Sequence, residues 1–198
     1  MNKPLLIDNV TDSFGVSRMK TAIGKSELQT MKEWYAYNTF VRKRYLRFLK
    51  RLPRSVITKD KGASFPSVLD IFTHVLDVHQ AWLVGRYEAG RRTKLLEHLS
   101  FKDIVREEEE IDAYLSKLMQ RLTPSDLEKP FEFSYPQGKR RRKGKVILGN
   151  LLWHLVEEEL QHRGEINALL YQENINPPIT DWLYWKKQAS KYKELSEN

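Results

Sequence analysis

The chain has 198 residues, 40% hydrophobic and 30% charged, a length and balance that suit one soluble globular domain with a sizeable core. Cysteine is absent, which excludes disulfides, Cys-ligated zinc, iron–sulfur clusters and a cysteine nucleophile, and no apolar run is long enough to span a membrane. The net charge of +8 would favour nucleic acid or acidic lipid as a partner, but much of the excess is local, in "GKRRRKGK" at 138–145.

Residues 1–25 carry no clear periodicity and read as an irregular lead-in. They lack the long apolar stretch of a secretory signal, so a cytoplasmic home is the simplest expectation. Residues 26–198 read as a single domain. Ser26 and Gln29 have the spacing of a capping box. The helix that follows carries Trp34, Tyr37, Phe40, Val41, Tyr45 and Phe48 at helical intervals, and Pro53 stops it. "SVITKDKGASF" reads as a loop. A second helix is predicted from Pro66, a residue suited to a first turn, through "SVLDIFTHVLDVHQAWLVGRYE" to a closing Gly90. Ser100 with Asp103 opens a third helix, which ends before Thr123 and Pro124. Its "EEEE" at 107–110 reads as a solvated face.

The pattern then changes. "FEFSY" alternates like a strand, and "KVILG" does so more weakly, so the polar segment between them predicts a hairpin-like excursion. On this reading the basic run is a solvated loop between two short strands. A fourth helix is predicted from about 150 to 173, ended by "NINPP". A further helix is expected in the tail, capped by Thr180 or Asp181. Four long helices in one domain predict an all-α fold, an antiparallel four-helix bundle.

The fourth helix, "LLWHLVEEELQHRGEINALL", sets the functional question. At about 100° per residue, Leu151, Leu155, Ile166 and Leu169 form an apolar stripe. His162 falls inside it, Glu158 and Glu159 lie on its two sides, and Glu157 points to solvent. A buried carboxylate needs a proton, an arginine or a metal to neutralise it. Glu158 and His162 are four residues apart and share a helical face, so both can reach one cation. A third ligand would come from His74 or His79 on the second helix, or from His98 or His154. An inward histidine is more often a core residue than a ligand, and E-x-x-x-H is common by chance. Periodicity favours His79, which falls among Phe72, Val75, Leu76 and Leu83, over His74, which falls with Ser67, Asp70, Ala81 and Gly85.

"FPSVLDIFTHVLDVHQAWL", together with the fourth helix and the "NPPITDW" after it, resembles the DinB-like metalloprotein superfamily across residues 28–185. The resemblance implies a four-helix bundle, usually a homodimer, holding one divalent metal with one ligand on the second helix and two on the fourth. Those positions map to His74, Glu158 and His162. The commonest family set is three histidines. Glu158 departs from it, and in that respect the chain is similar to the mycothiol-dependent maleylpyruvate isomerases. The implied set, two histidines and a glutamate, suits zinc with an open position, while nickel, iron and manganese are also compatible. Asp77 or Glu159 would orient a ligand imidazole, and Arg163 would pair with a carboxylate at the dimer face.

The implied activity is transfer of a low-molecular-weight thiol to a small-molecule electrophile, or hydrolysis, with no catalytic residue assigned beyond the ligands. Trp34, Tyr37 and Trp82 are candidate pocket residues. The alternatives are a non-catalytic metal- or ligand-binding protein of stress sensing, and nucleic-acid binding through 139–145. No aromatic residues interleave the basic run, which speaks against a stacking platform.

Overall fold

The computed structural model describes residues 23–87, 100–137 and 140–188. Four long helices make the bundle. α1 spans Ile23–Leu49. After a single turn, α2 (Arg54–Ile57), comes α3, Val68–His79, which runs on as π-helical turns over Gln80–Tyr87. α4 spans Phe101–Arg121 and is followed by the single turn α5, Pro124–Leu127. β1 (Pro130–Gln137) and β2 (Arg140–Ile147) form an antiparallel hairpin that leads into α6, Leu148–Gln172. Residues 182–188 are helical again. The expected all-α bundle with its hairpin before the last long helix is what the chain forms.

Local chemistry sets the boundaries. The Ser100 hydroxyl accepts from the Asp103 N–H, and the Asp103 carboxylate accepts from the Ser100 N–H, so the predicted capping box is present. Ser67, not Pro66, begins α3: its hydroxyl accepts from the Asp70 N–H, and Pro66 lies one residue outside. Ser26 lies within α1, which is already helical at Ile23, so the helix begins before the residue expected to open it. The loop expected at 55–65 begins with α2. α6 ends on Asn174 at φ 58°, with the Ile175 N–H donating to Leu170 O, a left-handed cap that asparagine tolerates. Asp181 caps the last helical segment, accepting from the Tyr184 N–H at 2.7 Å. Gly90, His98 and residues 1–22 lie outside the described residues.

The basic run is a strand, not a loop. Arg140–Lys145 pairs in register with Glu132–Gln137, so Lys145 faces Glu132 and Arg142 faces Tyr135. Its glycine is required by packing. A Cβ on Gly144 would lie 2.5 Å from the Phe133 ring, which lies against Trp82 with ring centroids 4.9 Å apart. The hairpin is thereby anchored on the π-helical turns that follow α3.

The bundle centre combines aliphatic packing with one buried ionic cluster. Met31, Leu49, Ile71, Leu76, Leu83, Ile104, Leu118, Leu152 and Leu155 are fully buried. Among them, Arg42 of α1 donates to Glu159 of α6 at 2.5 Å and lies 3.5 Å from Glu108 of α4. His79 of α3 places Nε2 3.0 Å from the same Glu159 oxygen and donates from Nδ1 to Val75 O. All four side chains are buried. The "EEEE" run is therefore not wholly solvated, because Glu108 points into the core. Burial raises the Glu108 carboxyl above its ordinary value despite Arg42. Burial would also raise Glu159, but Arg42 and His79 outweigh it and hold Glu159 low.

Candidate metal centre

α6 sorts its three consecutive glutamates by helical phase. Successive residues are turned by about 100°, so neighbours cannot share an environment. Glu157 is exposed, Glu159 enters the core cluster, and Glu158 lies on the flank of the stripe that faces α3. His154, His162 and Glu165 fall near the same flank, four residues before Glu158 and four and seven after it. α3 has a broad buried arc over Val68, Leu69, Ile71, Phe72, Val75, Leu76 and His79. His74 stands outside that arc, on its edge. This is why periodicity favours His79, and why His79 meets the core carboxylate while His74 meets Glu158.

The structure brings His74, Glu158 and His162 together. One ligand atom from each lies within 4.8 Å of the others. The Nε2 atoms of His162 and His74 lie 3.3 and 3.7 Å from the same oxygen, Glu158 Oε2. Two donors on one tetrahedral zinc, at ordinary bond lengths, are separated by ~3.4 Å. The two distances straddle that value, and the donors are of the types that zinc takes. His162 is buried, while His74 and Glu158 are about three-quarters buried, so the group is accessible from one side.

A fourth residue orients the set. Glu165 Oε2 lies 3.1 Å from His162 Nδ1, and the Glu165 carboxylate also accepts from the Ser64 N–H and hydroxyl, at 2.8 and 2.6 Å. Burial would raise its carboxyl, yet these hydrogen bonds together keep it below its ordinary value. When Nδ1–H donates to Glu165, the Nε2 lone pair of His162 faces Glu158 Oε2. A lone pair and a carboxylate repel at that range unless a proton or a metal ion lies between them. Carboxylate, imidazole and metal in series is the usual outer support of a ligand histidine. Glu159 does not fill this role, since Arg42 and His79 hold it. The spacing from His162 to Glu165, three residues along one helix, was the available signal.

The 58–66 segment covers the group. Phe65 stacks on His74 with centroids 4.1 Å apart and presents an edge to His162 at 5.8 Å. The segment is tied to α6 at Ser64–Glu165 and by Lys59 and Lys61, both paired with Glu173. Burial and the neighbouring His162 lower the His74 value against the pull of Glu158, which favours the neutral imidazole, the form that ligates metal.

On the outer side, His154 Nε2 lies 3.6 Å from Glu158 Oε1, and the edge of Trp82 packs near the His154 ring. Trp82 thus borders this flank. Trp34 and Tyr37 do not. They form an aromatic cluster with Trp182 and Trp185, with the Tyr37 hydroxyl donating to Thr180 O. Arg163 donates to the Tyr37 oxygen at 2.7 Å and so joins that cluster.

The sequence profile of the DinB family matches residues 25–194. The chain belongs to the DinB family. It is 26% identical over 155 residues to Protein DinB of Bacillus subtilis (strain 168), covering 75% of this chain and 88% of that protein. A solved DinB-like protein from Bacillus cereus ATCC 10987 shares the fold with a TM-score of 0.56 at 15% identity, covering 78% of this chain and 95% of that chain. No helix among the described residues is long and apolar enough to cross a membrane.

Proposed function

We propose that this DinB-family chain is a divalent-metal-dependent enzyme acting on a small molecule, by thiol transfer or hydrolysis. One observation carries the reading. Two imidazole nitrogens, one from each of two helices, converge on a single carboxylate oxygen, and Glu165 orients one of the two rings.

His74, Glu158 and His162 would hold the ion, with zinc favoured and nickel, iron or manganese compatible. Such an ion with an open position lowers the pKa of a bound thiol or water and yields a nucleophile at neutral pH. The chain's own residues supply the rest. Glu165 orients the His162 ring, Phe65 shields the His74 ring, and Trp82 borders the outer flank beside His154. The family resemblance favours a low-molecular-weight thiol as co-substrate and a homodimer as the working assembly. Exposed Tyr171, Ile179 and Leu183 offer apolar surface for a second copy.

The test is a screen of the metal-reconstituted protein with thiol and electrophile pairs and with hydrolysable esters and amides, beside Glu158→Ala. Turnover that requires added metal and disappears in the variant supports the proposal. A metal-loaded protein inactive with every pair would point to a sensing role.

A further inference from the structure

α1 carries a dense run of cations in "VRKRYLRFLKR", residues 41–51. Two are paired with carboxylates, one in the core and one at the surface. Arg42 is held by Glu159 and Glu108, and Lys43 pairs with Asp112 at 2.6 Å. Arg44, Arg47 and Arg51 are not. Spaced i, i+3 and i+7, they project from one face of α1. With Pro178 they line a cleft of about 430 Å³. Among the described residues, none of the three forms an ion pair with a carboxylate.

The arrangement is mildly unfavourable without an anion. Like charges three and four residues apart on a helix repel. Arg44 is also held in place. Its guanidinium lies 5.5 Å from the Phe40 ring centroid and 5.1 Å from that of Tyr184, and Nη1 donates to the Tyr184 hydroxyl at 3.4 Å. Its Nε is buried without a hydrogen-bond partner. Planar guanidiniums, one of them held against two neighbouring rings, suit bidentate recognition of phosphate oxygens. The volume falls in the range of small-molecule sites.

We infer that the Arg44–Arg47–Arg51 cleft is an anion site for a small molecule carrying a phosphate or diphosphate group. It shares no residue with the metal centre and stands whether or not that centre is catalytic.

The probe is inorganic pyrophosphate, titrated calorimetrically into the full-length, metal-loaded chain at low and at physiological salt. The expected result is saturable binding, weakened by salt, that falls about tenfold or more in Arg47→Gln and again in Arg51→Gln, since each removes a charge-assisted contact. Both residues are exposed, so the variants should keep the fold and metal content of the parent. Arg140→Gln and Arg142→Gln on the hairpin should leave the affinity unchanged. Three results would overturn the inference: absent pyrophosphate binding, binding indifferent to Arg47 and Arg51, or binding lost only with the hairpin arginines. Duplex DNA binding that needs Arg47 and Arg51, without pyrophosphate binding, would replace it with a nucleic-acid surface.

Discussion

Glu165 Oε2 stands 3.1 Å from His162 Nδ1, and Ser64 holds the same carboxylate from the other side. The contact ties a loop to a helix 101 residues away and sets which ring nitrogen of His162 faces Glu158. On this account Glu165→Ala keeps the fold and weakens metal affinity by about 10- to 100-fold, the usual effect of removing an outer partner of a ligand histidine. Competition with a chromogenic chelator measures it. Affinity equal to the parent's would show that Glu165 serves only to anchor the loop.

The core ionic cluster makes a different prediction. Arg42→Met leaves Glu159 and Glu108 buried without their cation, and removing one partner of such a pair costs about 3–5 kcal/mol. Urea denaturation of the metal-free protein should show that loss. Glu158→Ala should change the same curve little, because its side chain belongs to the accessible group. Equal losses in the two variants would contradict the division between adjacent glutamates.

Acid should act through the same cluster. The folded-state value of Glu159 lies below the ordinary 4.5. Its ionised form therefore adds stability above that pH, and the gain disappears as pH falls through the lowered value. Glu108 is shifted upward, so its protonation favours the fold as pH falls towards the ordinary 4.5, before the Glu159 loss sets in. Denaturation midpoints should drop below pH 4.5, with a shallower drop in Glu159→Gln. Metal release follows another group. The His74 value lies below the ordinary 6.5, so proton competition at His74 begins only at lower pH than for an unperturbed histidine.

Much of this architecture was legible in the sequence because it is local. The α4 capping box, the four long helices and the different fates of Glu157, Glu158 and Glu159 follow from spacing along one element. The convergence of His74 with α6 was not legible from periodicity, because a residue at the edge of a buried arc is placed by the neighbouring helix. Arg42 with Glu159, and Ser64 with Glu165, are contacts between residues more than a hundred positions apart, and no local pattern encodes them. The basic segment hid its strand character. Four consecutive cations, Arg140–Lys143, show no apolar alternation, and pairing with β1 supplies what the pattern lacks.

The hairpin offers its own test. Gly144→Val drives a side chain into Phe133, whose ring contacts Trp82. Overpacking of this kind costs about 1–3 kcal/mol. Tryptophan fluorescence should report the displaced ring, and an unchanged spectrum with unchanged stability would mean that Phe133 does not anchor the hairpin.

The central claim is that His74, Glu158 and His162 hold one divalent ion. The most direct measurement is metal content by inductively coupled plasma mass spectrometry, on protein purified without a histidine tag or chelators, beside His74→Ala and Glu158→Ala. The account predicts near-stoichiometric divalent metal in the parent and its loss in both variants. A parent that takes up no metal even after reconstitution would contradict it, as would full occupancy in either variant.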